Sequence, residues 1–175
     1  MGQSLRVIDA TAGLGQDAFI LAHAGCDVLM LERSLLLHAL LEDGLQRAAQ
    51  SEDVRVRNAA ARMQLVLGDS SCIDFATLGD APDVIYLDPM FPERRKKSAK
   101  VKKNMFMLQQ LLDDEPPADG LLLKALQAAQ KRVAVKRPRI AGFLEERKPS
   151  FQLLGSSSRF DIYLTQPSSR ISTSS

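Results

Sequence analysis

The chain has 175 residues, of which 45% are hydrophobic and 25% charged, with a formal net charge of +2. That length fits one domain with a sizeable core, and the composition excludes a fibrous or wholly disordered polymer. No apolar run reaches the roughly 18 residues of a membrane span, the first residues lack a basic-then-apolar signal pattern, and so small a net charge does not by itself argue for a polyanion partner.

Residues 5–9, LRVID, predict a short buried strand closed by an acid, Asp9. ATAGLG follows as a glycine-bearing turn, and residues 16–24 have helical spacing with Gly25 as a stop signal. DVLMLE, residues 27–32, predicts a second strand that again ends in an acid, and Ser34 is placed to cap a longer helix over 35–50. Residues 53–61 fit either more helix or a loop. A third strand is expected at 63–68, followed by the polar turn GDSSCIDF, and a fourth at 83–88 followed by a long loop over 89–104. Helical patterns recur at 105–113 and 119–130, on either side of DDEPPADG. KRVAVKRP predicts a fifth strand ended by Pro138, FQLLGSSSRFDIYLTQP a hairpin, and SSRISTSS a disordered tail.

Strands alternating with helices predict an α/β fold: a mostly parallel sheet with helices on both faces, and an antiparallel strand from the closing hairpin. One domain is expected over 1–166 and a flexible Ser-rich tail over 167–175. Because the first strand begins almost at residue 1, a further N-terminal segment is expected in the full protein. Cys26 and Cys72 show no metal-ligand spacing and fit reduced thiols in a cytoplasmic protein, and His23 and His38 lie in helical patterns that suit structural or solvent-facing roles.

VIDATAGLGQDAF puts Gly13 and Gly15 between a strand and a helix, where glycine allows a tight turn and close approach of a ligand. A ligand-free connection and a nucleotide turn are both open on that motif alone. Acids close three predicted strands, Asp9, Glu32 and Asp88, and Asp69 follows the remaining one. In open α/β sheets the strand carboxyl ends carry the ligand, and Glu32 has the offset of an acid that accepts ribose hydroxyls. The motif lacks the third glycine of the dinucleotide fingerprint, which disfavours a nicotinamide-dependent reductase. A ring of acids suits a cationic, hydroxyl-bearing ligand, and S-adenosylmethionine, with its sulfonium, ammonium and ribose, matches it. Gln16 and Asp17 are candidates for its amino-acid end, although Asp17 in a first helical turn is equally a helix-dipole acid. Ser70 and Ser71 after the third strand are candidates near the adenosine, or members of an ordinary polar turn.

The segment YLDPMFPERRKKSAKVKK holds an acid, two prolines and an aromatic ring at a strand end. Pro89 and Pro92 stiffen the loop and hold Phe91 near the strand tip. Methyl transfer to an exocyclic base amine needs acceptors on the amine hydrogens, so that the lone pair faces the methyl group. Asp88 and the Pro89 carbonyl are candidates for those acceptors, and Phe91 for stacking on the base. Residues 94–103 then carry seven Lys or Arg in ten positions: Arg94, Arg95, Lys96, Lys97, Lys100, Lys102 and Lys103. Joined to a base-handling turn, this run is expected to clamp nucleic-acid phosphates; alone it would equally be a solvated loop. Lys136, Arg137 and Arg139 at the end of the fifth strand are expected to extend the patch.

Taken together, DATAGLGQDAF, LERSLLLHALLEDGL, YLDPMFP, KSAKVKK, RVAVKRP and RFDIYL resemble the small-subunit ribosomal RNA (guanine-N2)-methyltransferase family known as RsmJ, over about residues 5 to 166. The resemblance implies a Rossmann-like class I methyltransferase fold, S-adenosylmethionine as cofactor, no metal, and methylation of one guanosine N2 amine near the 3′ end of 16S rRNA. It also implies 16S ribosomal RNA or the small ribosomal subunit as partner, and an N-terminal region ahead of the glycine turn. By position it assigns cofactor contacts to Gln16 and Asp17, Glu32 and Arg33, Ser70 and Ser71, and Asp88. The family commonly has Arg where this chain has Gln16. Met90 stands where amino-methyltransferases at large have a second proline, which is this family's own form. Amino-methylation of another RNA or of DNA would use the same turn, and a non-catalytic RNA-binding module with a decayed cofactor site is a third reading. Intact Gly13, Gly15, Glu32 and Asp88 argue against decay.

Overall fold

The computed structural model describes residues 4–89 and 120–165. Seven strands form one sheet: β1 (Arg6–Asp9), β2 (Asp27–Glu32), β3 (Met63–Leu67), β4 (Val84–Leu87), β5 (Arg132–Pro138), β6 (Phe151–Leu154) and β7 (Ser158–Leu164). Among the described residues, four α-helices accompany them: α1 (Gln16–His23), α2 (Leu35–Ala49), α3 (Val54–Ala60) and α4 (Leu121–Ala128). The spatial order is β3-β2-β1-β4-β5-β7-β6. The first five strands are parallel, β7 runs antiparallel to β5, and β6 antiparallel to β7.

This is the expected α/β architecture, and the strand boundaries fall within about a residue of those read from sequence. The ambiguous stretch is helical. Asp53 accepts the Arg55 amide at 2.9 Å as an N-cap, and Ala59 and Ala60 are buried. Ser34 caps α2 as expected, its hydroxyl accepting from the Leu37 amide at 3.4 Å. Met90, Phe91, the basic run at 94–103, the helical pattern at 105–113 and the serine-rich tail from 166 onward lie outside the described residues.

The sheet is buried on both faces because its central strands are apolar at consecutive positions. On one face Ile8, Leu31, Ile85, Leu87, Val133 and Val135 pack under α4, through Leu121, Leu122 and Ala125. On the other, Val7, Val28, Met30, Val84 and Tyr86 pack under α1 and α2, through Ala18, Ala22 and Leu41. Each fully buried aliphatic side chain contributes about 1.5–3 kcal/mol, so both faces hold the strands in a fixed register. Asp9 is paired with Met30 on one side and Tyr86 on the other. Strand order reverses between β1 and β4, so the loops after these two strands diverge and leave a crevice at their carboxyl ends.

Candidate active site at the carboxyl edge of the sheet

Because β1, β2, β4 and β5 are parallel, their carboxyl ends share one edge. Asp9, Glu32 and Asp88 therefore gather there, at the point of strand-order reversal. The turn after β1 is shaped by glycine. Gly13 has φ of 54° and open space where a Cβ would stand, while Gly15 has φ of 70° and would drive a Cβ to 2.6 Å from Leu41. Gly15 is thus favoured by its left-handed backbone and by the nearby Leu41 methyl, and Gly13 leaves the surface above the turn open.

Glu32 ties this turn to β2. One carboxylate oxygen accepts the Gly13 amide at 2.9 Å and the other the Ser34 amide at 2.7 Å. A carboxylate has about four acceptor positions, so two amide bonds orient the group without exhausting it. Arg33, next in sequence, forms an ion pair of 3.6 Å with Asp69 and links the ends of β2 and β3. The turn after β3 is built on the same aspartate: the Ser71 amide and hydroxyl donate to Asp69 Oδ1 at 2.8 and 2.6 Å. Burial pushes the Asp69 carboxyl up, but Ser71 and Arg33 more than offset this and hold it below the ordinary value. Ser71 thereby serves the turn, with Ser70 half-buried beside it.

Asp88 follows β4. Its amide donates to the Thr11 hydroxyl at 2.6 Å, which pins the strand tip to the glycine turn. Its carboxylate lies 3.1 Å from Lys136 Nζ, and the same ammonium lies 2.6 Å from Asp17 Oδ2. Tyr86 donates its hydroxyl to that Asp17 oxygen at 2.6 Å. Burial raises the Asp17 carboxyl, and the bonds from Lys136 and Tyr86 overcome it, leaving a carboxylate below its ordinary range. Asp88 ends up above its ordinary value: burial raises it, Lys136 lowers it, and the neighbouring Asp17 charge raises it again. Asp9, 1% exposed, is pushed up to about 7, chiefly by burial and further by the charges of Asp17, Asp88 and Glu32, against the lowering bond from the Thr11 amide. Burial, and after it the clustering of these carboxylates, thus shifts the most buried acid of the edge toward its neutral form.

The predicted positions thus converge, with two differences. Gln16 stands exposed at the first position of α1, so its side chain is not fixed by packing. Lys136 and Arg137 do not extend a surface basic patch. Lys136 turns inward onto Asp17 and Asp88, and Arg137 is buried, donating to the Gly142 carbonyl at 2.7 and 3.1 Å. Arg139 alone of the three is exposed. The reason is register: strand alternation puts Arg137 in line with buried Val133 and Val135, and Lys136 in line with Ala134 on the α1 face. Sequence reasoning missed Thr11 and Tyr86 and gave Lys136 a different role. The available signal was period two: Tyr86 shares a face with Asp88, and a buried tyrosine hydroxyl requires a partner.

The matches to known proteins agree with this geometry. A family model described as putative SAM-dependent methyltransferase covers residues 1–165. The chain belongs to that family. A relative from Pseudomonas aeruginosa, ribosomal RNA small subunit methyltransferase J, is 53% identical over 158 residues, covering 90% of this chain and 59% of the relative. The Hahella chejuensis protein of the same name is 52% identical and covers 91% and 58%. The chain therefore spans about three-fifths of the length of these curated relatives. Among solved structures, a SAM-dependent methyltransferase from Neisseria gonorrhoeae is 36% identical with a TM-score of 0.73, covering 91% of this chain and 61% of that one. An rRNA methyltransferase from Streptomyces viridochromogenes is only 13% identical at a TM-score of 0.61, a likeness of fold alone.

The residues present fit the cofactor that the family's description implies. The open space above Gly13 and the clustering of Asp9, Asp17, Glu32 and Asp88 suit a ligand bearing a sulfonium and an ammonium. Among the described residues, no group of three or more metal-ligating side chains is placed to hold an ion, and no helix is long and apolar enough to cross a membrane. A separate surface cleft, lined by Arg6, Asp27, Arg62 and Asp80, lies at the opposite, amino-terminal edge of the sheet.

Proposed function

We propose that this chain carries the catalytic domain of an S-adenosylmethionine-dependent methyltransferase that modifies the exocyclic N2 amine of a guanosine in 16S rRNA. It would act in the cytoplasm on the RNA or the small ribosomal subunit. The observation that carries this reading is the convergence of Asp9, Asp17, Glu32 and Asp88 on one edge at the strand-order reversal, in a chain half identical to small-subunit rRNA methyltransferases.

When bound, S-adenosylmethionine would supply an electrophilic methyl group on a sulfonium. The protein's part is positional. Glu32, oriented by the Gly13 and Ser34 amides, is placed to accept ribose hydroxyls. Asp17 offers charge for the amino-acid end, and Arg33, Ser70 and Ser71 frame the base side. Asp88 and the Pro89 carbonyl accept from the amine hydrogens and turn the nitrogen lone pair toward the methyl group. No strong base is required, because the nitrogen becomes acidic once it has been alkylated, and a neighbouring carboxylate or water takes the proton. From sequence, Phe91 would stack on the base, and Arg94 to Lys103 would hold the phosphates.

The test is mass mapping of methylated guanosines in rRNA from cells with and without the gene, with the full-length protein restoring the modification. Loss of one N2-methylguanosine in the small-subunit RNA is expected. An unchanged rRNA map, with methyl transfer to DNA or another RNA in a substrate panel, would replace the substrate and keep the chemistry.

A further inference from the structure

Lys136 lies in the basic end of β5, which sequence alone assigns to a phosphate-binding patch, yet it joins three elements of the site. Its ammonium bridges Asp17 of α1 and Asp88 at the end of β4, at 2.6 and 3.1 Å, while its own backbone lies in β5. Two further bonds stiffen the bridge: Tyr86 donates to Asp17 at 2.6 Å, and the Asp88 amide is held by the Thr11 hydroxyl at 2.6 Å. Without a cation, two carboxylates this close would repel. The lysine side chain is 29% exposed, so the bridge is partly desolvated and stronger than a surface ion pair.

We propose that Lys136 is a positioning residue, whose single ammonium locks the Asp17 and Asp88 carboxylates at a fixed separation and thereby sets where Asp88 presents its acceptor oxygens to the substrate amine. The last step rests on the function proposed above; the lock itself does not. Burial lowers the Lys136 ammonium, but Asp17 and Asp88 more than offset this and hold it above its ordinary value. The bridge is therefore charged throughout the neutral range. Among the described residues, the groups coupled to the two bridged carboxylates are Asp9 from β1, Tyr86 from β4 and, from the other face of β5, Arg137, which acts on Asp88; Glu32 from β2 couples in turn to Asp9.

The lock is tested by carbon-13 carboxyl NMR titration of the aspartates, with Asp88→Asn to assign the resonance, alongside methyl-transfer kinetics on the full-length protein. In Lys136→Met the Asp88 carboxyl is expected to titrate about one pH unit or more above the parent. kcat should fall about 10–100-fold with less change in KM, and Lys136→Arg should restore much of both. An Asp88 titration that stays in place in folded Lys136→Met overturns the lock. A moved titration with unchanged kcat overturns the positioning role. A parent that methylates no RNA counts against the proposed function, and the titration alone still decides the lock.

Discussion

Among the described residues, the two edges of the sheet treat their most buried acids differently. At the amino-terminal edge each acid has a cation of its own. Arg6 pairs with Asp80 at 2.6 Å, Arg62 with Asp27 at 2.8 Å, and Lys131 with Asp83 at 2.9 Å. Burial raises the Asp83 carboxyl, yet the Arg6 amide and Lys131 overcome it and hold the group below its ordinary range. At the carboxyl edge Asp17 and Asp88 share Lys136, and Asp9 is buried to 1% exposure with a backbone amide for a partner and is pushed up to about 7. A fold optimised only for stability would neutralise both edges. Among the described residues, the carboxyl edge instead clusters its acids around one shared lysine and a backbone amide, a pattern that suits a cationic ligand.

That contrast can be broken most sharply at Asp88. Asp88→Ala should reduce methyl transfer by about 10³-fold with an unchanged circular dichroism spectrum. Turnover close to the parent's would remove Asp88 from the reaction. At the other edge, Asp83→Ala should leave transfer intact and lower stability by about 1–2 kcal/mol.

Next in size is the pH response of stability. The native Asp9 carboxyl is raised above its unfolded value of 3.8 to about 7. The folded state therefore binds more protons between these values, and stability falls as pH rises through that window. Asp9→Asn keeps an acceptor for the Thr11 amide and removes the buried charge. It should stabilise the protein by up to about 4 kcal/mol at pH 8 and change little at pH 4, as read by chemical denaturation. Asp83 has the opposite sign: its depressed carboxyl contributes stability at neutral pH that is lost as pH falls through its native value. Equal effects of Asp9→Asn at both pH values would erase the difference between the edges.

Smaller effects concern the substrate backbone. Replacing Lys96, Lys97 and Lys100 with Ala should weaken RNA binding and reduce the slope of log affinity against log salt by about 2. An unchanged slope would make that loop a bystander. Least of all, Arg62→Ala at the amino edge should cost at most about 1 kcal/mol.

Much of this contrast was legible in the sequence, because acids at strand ends and glycines at a turn are local patterns. Asp9, Glu32 and Asp88 each close a hydrophobic run, and parallel pairing carries them to one edge without further information. The α3 segment was ambiguous because Val54–Ala60 alternates valine and arginine, and its commitment to helix comes from the Asp53 cap and from alanines packed in the core. Lys136 was not legible. Its neighbours Arg137 and Arg139 make it look like part of a surface patch, whereas its partners are 119 and 48 residues away along the chain. Strand register, which sequence proximity hides, sends Lys136 to one face and Arg137 to the other. Tyr86 was hidden in the same way, since its hydroxyl reaches a carboxylate 69 residues away.

The most direct test of the central claim is titration calorimetry of S-adenosylmethionine into the full-length protein at pH 6.5, in buffers of differing ionisation enthalpy. Binding is expected to release protons, because a cation placed beside Asp9 lowers a carboxyl that burial has pushed up to about 7. The account also predicts that Glu32→Ala abolishes the binding heat, while Asp27→Ala at the opposite edge leaves it intact. Binding that survives Glu32→Ala, is lost in folded Asp27→Ala, and releases no proton would put the ligand at the wrong edge and contradict the account.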